Sequence, residues 1–438
     1  MSAFLGFAHL LLVLATAAPA GEGPEVAWRG KRIDAGVPPA DLPAEAKAAL
    51  AEWSPWAKEA GYRMDFDAAA RVLLLSGASR STAERAMPII ESAESWFDAL
   101  LPSVKGSAPA VAVAASKPAA KKAAPKPSAE PIPEDPESAP PVLEPPKGAQ
   151  GKTTGKKTGP AKKTGGDSEE GAAWGSGSHE PDSRTIVFIA LADEKDQESV
   201  LGYLASKHPD LKSWAATAGR DVGFVVENPL LGSFVEAAEG QEEWNPEHEI
   251  LNRVVRLLTL SRFGQVPNWL VHAVAWEAET ARDGSIWVYP YRNEFVYTTE
   301  HTSWMLELAH EHEERGTKKP LEIEELTRWT RGTWNGSSAR QAFGLVHFLA
   351  ATKKASLPGV LADFHALWDE GNRKAGEDGT WTRDRDWAPP ASAQLAILKG
   401  RCGEGVLADT SAWLAKQGTS KGRKAATEVG GKTQAKRN

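Results

Sequence analysis

The chain of 438 residues contains one cysteine, Cys402. No intrachain disulfide is available, so packing alone must hold the fold, and no second Cys completes a redox motif. An excess of positive charge is also missing. Lys and Arg total 51 against 58 Asp and Glu, a formal net charge of -7, which leaves no electrostatic case for nucleic-acid binding. No glycine-rich nucleotide fingerprint stands at a strand–helix junction, and the Gly-Lys-Thr inside GKTTGKKTG lacks the spacing of a phosphate loop. Ser337 and Ser338 show no nucleophile-elbow pattern. Beyond the N-terminus, no run is long and apolar enough to span a bilayer.

Tryptophan, in contrast, is abundant. The chain has 17, and these large rings should carry much of the burial. The opening stretch MSAFLGFAHLLLVLATAAPAGEG holds an apolar run over 4–18 that ends at Ala18-Pro19-Ala20. That is a signal-peptide core with a small-residue cleavage site, although the segment before it lacks Lys or Arg. The expectation is a signal over 1–20 and a secreted, periplasmic or envelope protein with no membrane span once the signal is removed.

Periodicity predicts a helix over 42–58, a strand pair around DFDAAARVLLLSG, and a helix over 81–101. Composition then changes. Residues 104–183 are nearly all Ala, Pro, Lys, Gly, Thr and Glu, with little to bury, and read as a disordered insertion. Order resumes with expected strands at 185–191 and 221–226 and helices at 197–207, 248–260, 266–280, 302–315, 337–353 and 360–370. Residues 284–291, GSIWVYPY, should be extended. The chain after 373 reads as an irregular extension with a basic tail. These elements predict an α+β fold in two parts, 42–103 and 184–372. The first is too thin to fold securely alone, and the insertion is expected to be a loop within one domain. The default oligomeric expectation is a monomer.

One motif carries chemistry. NPEHEILNRVVRLL contains His248, Glu249 and Asn252 in the order His-Glu-x-x-Asn. In His-Glu-x-x-His the two imidazoles lie one helical turn apart on one face, and the adjacent Glu serves as base on a metal-bound water. Asn252 stands where the second imidazole would be, and a carboxamide oxygen is a poor zinc ligand. Downstream, FGQVPNWLVHAVAWEAET contributes Pro267, Trp269, Leu270, His272 and Ala275, followed by Glu277 and Glu279.

With DFDAAARVLLLSG, ESAESWFDALLP and ARQAFGLVHFLA, these stretches resemble the gluzincins, zinc peptidases whose third ligand is a Glu. More narrowly, they resemble a bacterial exported peptidase-like domain of unknown function. The resemblance spans most of 42–372 and implies a zincin fold. It also implies ligand positions at His248, Asn252 and His272, the last standing where the family has Glu, with Glu249 as catalytic base. The helix that opens with a Tyr in many relatives has Ser338, Ala339 and Arg340 here, which leaves a transition-state donor role vacant.

Two functional expectations follow. One is a catalytically impaired peptidase homologue without a cofactor, used to bind a peptide or envelope component. The other is an active peptidase with zinc held by His248, Asn252 and His272. Glu279 is expected either as a partner of the site or as part of a solvated helix end. His310, Glu311, His312 and Glu314 read as a solvated helix end. His347 and His365 read as packed core histidines.

Overall fold

The computed structural model describes residues 30–32, 42–77, 80–101, 184–219, 223–236, 246–288, 304–316, 319–329, 336–375, 381–383 and 387–417. The expected signal, the 104–183 insertion, His179, His301 and the tail beyond 417 lie outside them.

The DFDAAARVLLL stretch forms a hairpin of β2 (Arg63–Asp67) and β3 (Val72–Ser76). Asp67 makes the turn: its Oδ1 accepts the backbone N–H groups of Ala69 and Ala70 at 2.8 and 2.9 Å, an Asx turn. The short β1 (Gly30–Arg32) pairs with β2 on the outside. Next to β3 lies β4 (Ile186–Leu191), in parallel, with Val72 opposite Ile186 and Ser76 opposite Ala190. The segments before and after 104–183 therefore share one sheet. That sheet is completed by β5 (Gly223–Val226) and β6 (Leu231–Val235), in the order β1-β2-β3-β4-β6-β5.

The continuous apolar runs VLLL and IVFIAL suit strands covered on both faces. Leu73, Leu75, Val187 and Ile189 face a layer built from α1 (Ala44–Glu59), α3 (Glu194–Lys207) and α4 (Lys212–Ala218). Val72, Leu74, Phe188 and Phe234 face the other layer, entered by α2 (Arg80–Leu100) and α5 (Pro246–Phe263). Polar bonds tie the first segment to the second. Tyr62 Oη donates to Asp196 Oδ2 at 2.6 Å and accepts from the Ala192 N–H at 3.1 Å, and Trp56 Nε1 donates to Ser199 Oγ at 3.0 Å. Among the described residues the architecture is mixed α and β, in agreement with the expected class.

Behind α5 stand α6 (Asn268–Asp283), α7 (Trp304–Arg315), α8 (Ile323–Thr327), α9 (Gly336–Thr352) and α10 (Leu357–Gly371). A small hairpin, β7 (Arg373–Ala375) with β8 (Trp381–Arg383), follows. The chain then forms α11 (Ala391–Cys402) and α12 (Val406–Gln417). This corrects the expectation of an irregular extension after 373. Ile397, Leu398, Cys402, Val406 and Leu414 are buried in the main core, and the apolar faces of α7, α9 and α10 need that cover. Among the described residues, no helix is long and apolar enough to cross a membrane.

One glycine sets how closely the site helix approaches the sheet. A Cβ on Gly232 in β6 would stand 2.7 Å from Leu257 Cδ1 of α5. The missing side chain lets α5 lie directly on the strand.

Candidate functional site

Helix α5 begins at Pro246 with Glu247 and Glu249 in its first turn, where acidic groups meet the positive end of the helix dipole. Helix α6 follows Pro267 and stops at Gly284, whose φ of +73° lets its N–H bond back to the Thr280 carbonyl at 2.8 Å. That left-handed residue turns the chain so that 285–288 run back past the end of α6.

Helices α5 and α6 run antiparallel, and their polar residues meet along one seam. His248 is 2% exposed, and both of its ring nitrogens face carboxylates. Nδ1 lies 3.1 Å from Glu279 Oε2, and Nε2 lies 3.1 Å from Asp283 Oδ2. Asn252 donates its amide Nδ2–H to Glu279 Oε1 at 2.7 Å. Its own Oδ1 is buried with no hydrogen-bond partner among the described residues. Glu279 Oε2 also accepts the backbone N–H groups of Trp287, at 2.6 Å, and Val288, at 3.2 Å. The Trp287 ring lies over the imidazole, with centroids 5.3 Å apart.

The structure thus brings together His248 and Asn252, as the motif predicts, and adds Glu279 and Asp283. Glu279 is fully buried, which removes the alternative of a solvated helix end. His272 is placed elsewhere. It packs against Trp276 and Trp329, with centroids 5.6 and 4.9 Å away. It stands seven residues before Glu279, about 10 Å of helix rise. The residues of α6 in contact with His248 are Glu279 and Asp283. Glu249 lies apart from this group. It is buried and bonded to Arg253 Nη2 at 2.6 Å, one turn along α5.

The donor set fits zinc poorly. A ligating imidazole must offer a lone pair, yet each nitrogen of His248 faces a carboxylate oxygen. Burial by itself would lower the His248 pKa, but the hydrogen bonds and charges of Asp283 and Glu279 outweigh it and raise the pKa to about 9. The two carboxylates thus favour the protonated ring. Asn252 turns its N–H2 toward Glu279, since a carboxylate can only accept. Burial raises the Glu279 pKa, while His248, the Trp287 N–H and Asn252 act in the opposite direction.

Other titratable groups sort by environment. His347 Nδ1 donates to Glu277 Oε2 at 2.6 Å, and its ring packs against Phe343 and Trp413. Burial works to lower its pKa, but Glu277 raises it on balance. Burial, with Arg256 and Arg253 nearby, lowers that of His272. His310 and Glu314 form an exposed pair at 3.2 Å, as a solvated helix end should. His312, read as part of the same wet end, is instead buried and donates to Gln341 Oε1 at 2.8 Å, and burial lowers its pKa.

These shifts predict a stability profile with two limbs. For His248 and His347 the folded pKa is raised. Their contribution is full below the unfolded value near 6.5 and is lost as pH rises through the folded pKa, about 9 for His248. For His272 and His312 the folded pKa is lowered, so stability falls as pH drops below about 6.5. Complete alkaline titration of His248 should cost about 3 kcal/mol. Urea midpoints measured from acidic to alkaline pH should peak near neutrality. The alkaline limb should shrink in His248→Gln, and an unchanged limb would assign the effect to other groups.

No protein-family model matches the chain, and no curated protein matches it either.

Proposed function

We propose that the chain is an exported peptidase-like domain of the gluzincin type that has lost hydrolysis and retains a binding role toward a peptide or an envelope component. Support for the type comes from the His-Glu-x-x-Asn helix, the second helix after Pro267, and the mixed sheet beneath α5. Support for export is the apolar run over 4–18 with its small-residue site. One observation carries the loss of hydrolysis: both nitrogens of His248 are held by carboxylates. Hydrolysis of this class needs a firmly held ion, a free base and donors for the transition state. Here the first imidazole lies between two carboxylates, an amide stands in the place of the second, and the base position is paired with Arg253.

The alternative, an active peptidase with zinc on His248, Asn252 and His272, makes the opposite prediction. Full-length protein purified without chelators and then supplied with zinc should retain substoichiometric metal and leave unmodified peptide libraries uncut. Saturable binding to such peptides, or to envelope material, should occur without cleavage. Stoichiometric zinc that disappears in His272→Ala, together with peptide cleavage, would establish the alternative.

A further inference from the structure

The seam between α5 and α6 also fixes a short piece of chain against His248 and Glu279. Residues 285–288 follow the left-handed Gly284. The N–H groups of Trp287 and Val288 both point at Glu279 Oε2. From the other side, Trp276 Nε1 donates to the Val288 carbonyl at 2.7 Å. Ile286 and Val288 are buried, and the half-buried Trp287 ring covers the His248 imidazole. A surface loop would send these backbone groups to water. Here they are consumed internally, by a carboxylate and an indole on a single helix.

We propose that 285–288 form a strap that closes the metal position, with Glu279 as its latch and Trp276 as its second anchor. The strap rests on the reading of this seam as a former metal site. It explains what Glu279 does without an ion: this one carboxylate of α6 accepts from α5 and from the strap and so holds the three together.

Backbone hydrogen exchange on the full-length, metal-free protein tests this directly. In the wild type, the Trp287 and Val288 amides should exchange roughly a thousand-fold more slowly than in an unstructured peptide. Glu279→Leu fills the space and removes the acceptor. Exchange at these two amides should then rise by about tenfold or more, with the strands of the central sheet unchanged. Asp283→Asn, which alters a group that meets His248 from outside the strap, should leave both amides protected. The wild-type measurement stands even if the Glu279 variant fails to fold: rapid exchange of Trp287 and Val288 in the native protein overturns the strap. So does protection that survives Glu279→Leu. Neither result bears on metal content, so the failure of the strap and the failure of the non-hydrolytic reading are distinguishable.

Discussion

A chain ended after Ala388 is expected not to reach the native state. Such a chain lacks α11 and α12, and with them five apolar side chains that are buried in the main core: Ile397, Leu398, Cys402, Val406 and Leu414. At about 1.5–3 kcal/mol for each large apolar side chain, the lost burial is on the order of 10 kcal/mol. That matches the entire stability of an ordinary domain. Polar losses add to it. Asp363 is buried and loses its two-pronged partner Arg401, both bonds of which measure 2.7 Å. Trp269 Nε1 loses Gln394 Oε1, and the Leu321 N–H loses Ser411 Oγ. Far-UV circular dichroism with a urea titration provides the check. A cooperative transition near the wild-type midpoint would mean that α11 and α12 are accessory.

Glu279→Ala should be the most damaging single substitution in the α5–α6 seam, at about 4 kcal/mol in urea denaturation. Four donors point at this carboxylate, from His248, Asn252, Trp287 and Val288. Removing it leaves the His248 ring with a single partner, Asp283, and strands three neutral N–H donors. A buried ion pair broken on one side costs about 3–5 kcal/mol, and each orphaned neutral donor about 1–3 kcal/mol before local relaxation. Glu279→Leu separates the causes. It restores volume without an acceptor, so it should be nearly as unstable as Ala if the donors dominate. Recovery of most of the loss in Leu would assign the effect to packing. A loss below about 1 kcal/mol for Ala would mean that water reaches the seam.

Much of this architecture was legible from apolar spacing. The helices around His248 and His272, the hairpin at Asp67 and the strand at 185–191 follow from period and turn chemistry. Strand β6 does not, because Gly232 and Ser233 interrupt the apolar run. Gly232 is required there for the approach of Leu257, so the tertiary contact that demands the strand also hides it. Helices α11 and α12 lie behind a stretch of Trp, Asp, Gly and Pro, and α11 dilutes its apolar face with alanine. Only the partners they cover reveal their role.

The site was half visible. Spacing placed His248 and Asn252 on one face. Resemblance pointed to position 272 on α6, whereas the contacts of His248 on that helix are Glu279 and Asp283. In an antiparallel pair, one turn forward on α5, from His248 to Asn252, corresponds to one turn back on α6, from Asp283 to Glu279. On that ladder His272 falls beyond both. The crossing of the helices sets this correspondence, and no local signal encodes it. Trp276 was equally hidden: its indole finds a backbone carbonyl twelve residues away.

The parallel pairing of β3 with β4 also sets a timetable. Val72 leaves the ribosome long before Ile186 exists to bond with it. At about 5–20 residues per second, the gap lasts roughly ten seconds. Through that interval the hairpin exposes an open edge of VLLL with no mate. Nascent 42–101 is thus the stretch on which a holding chaperone would act until 186–191 closes the sheet.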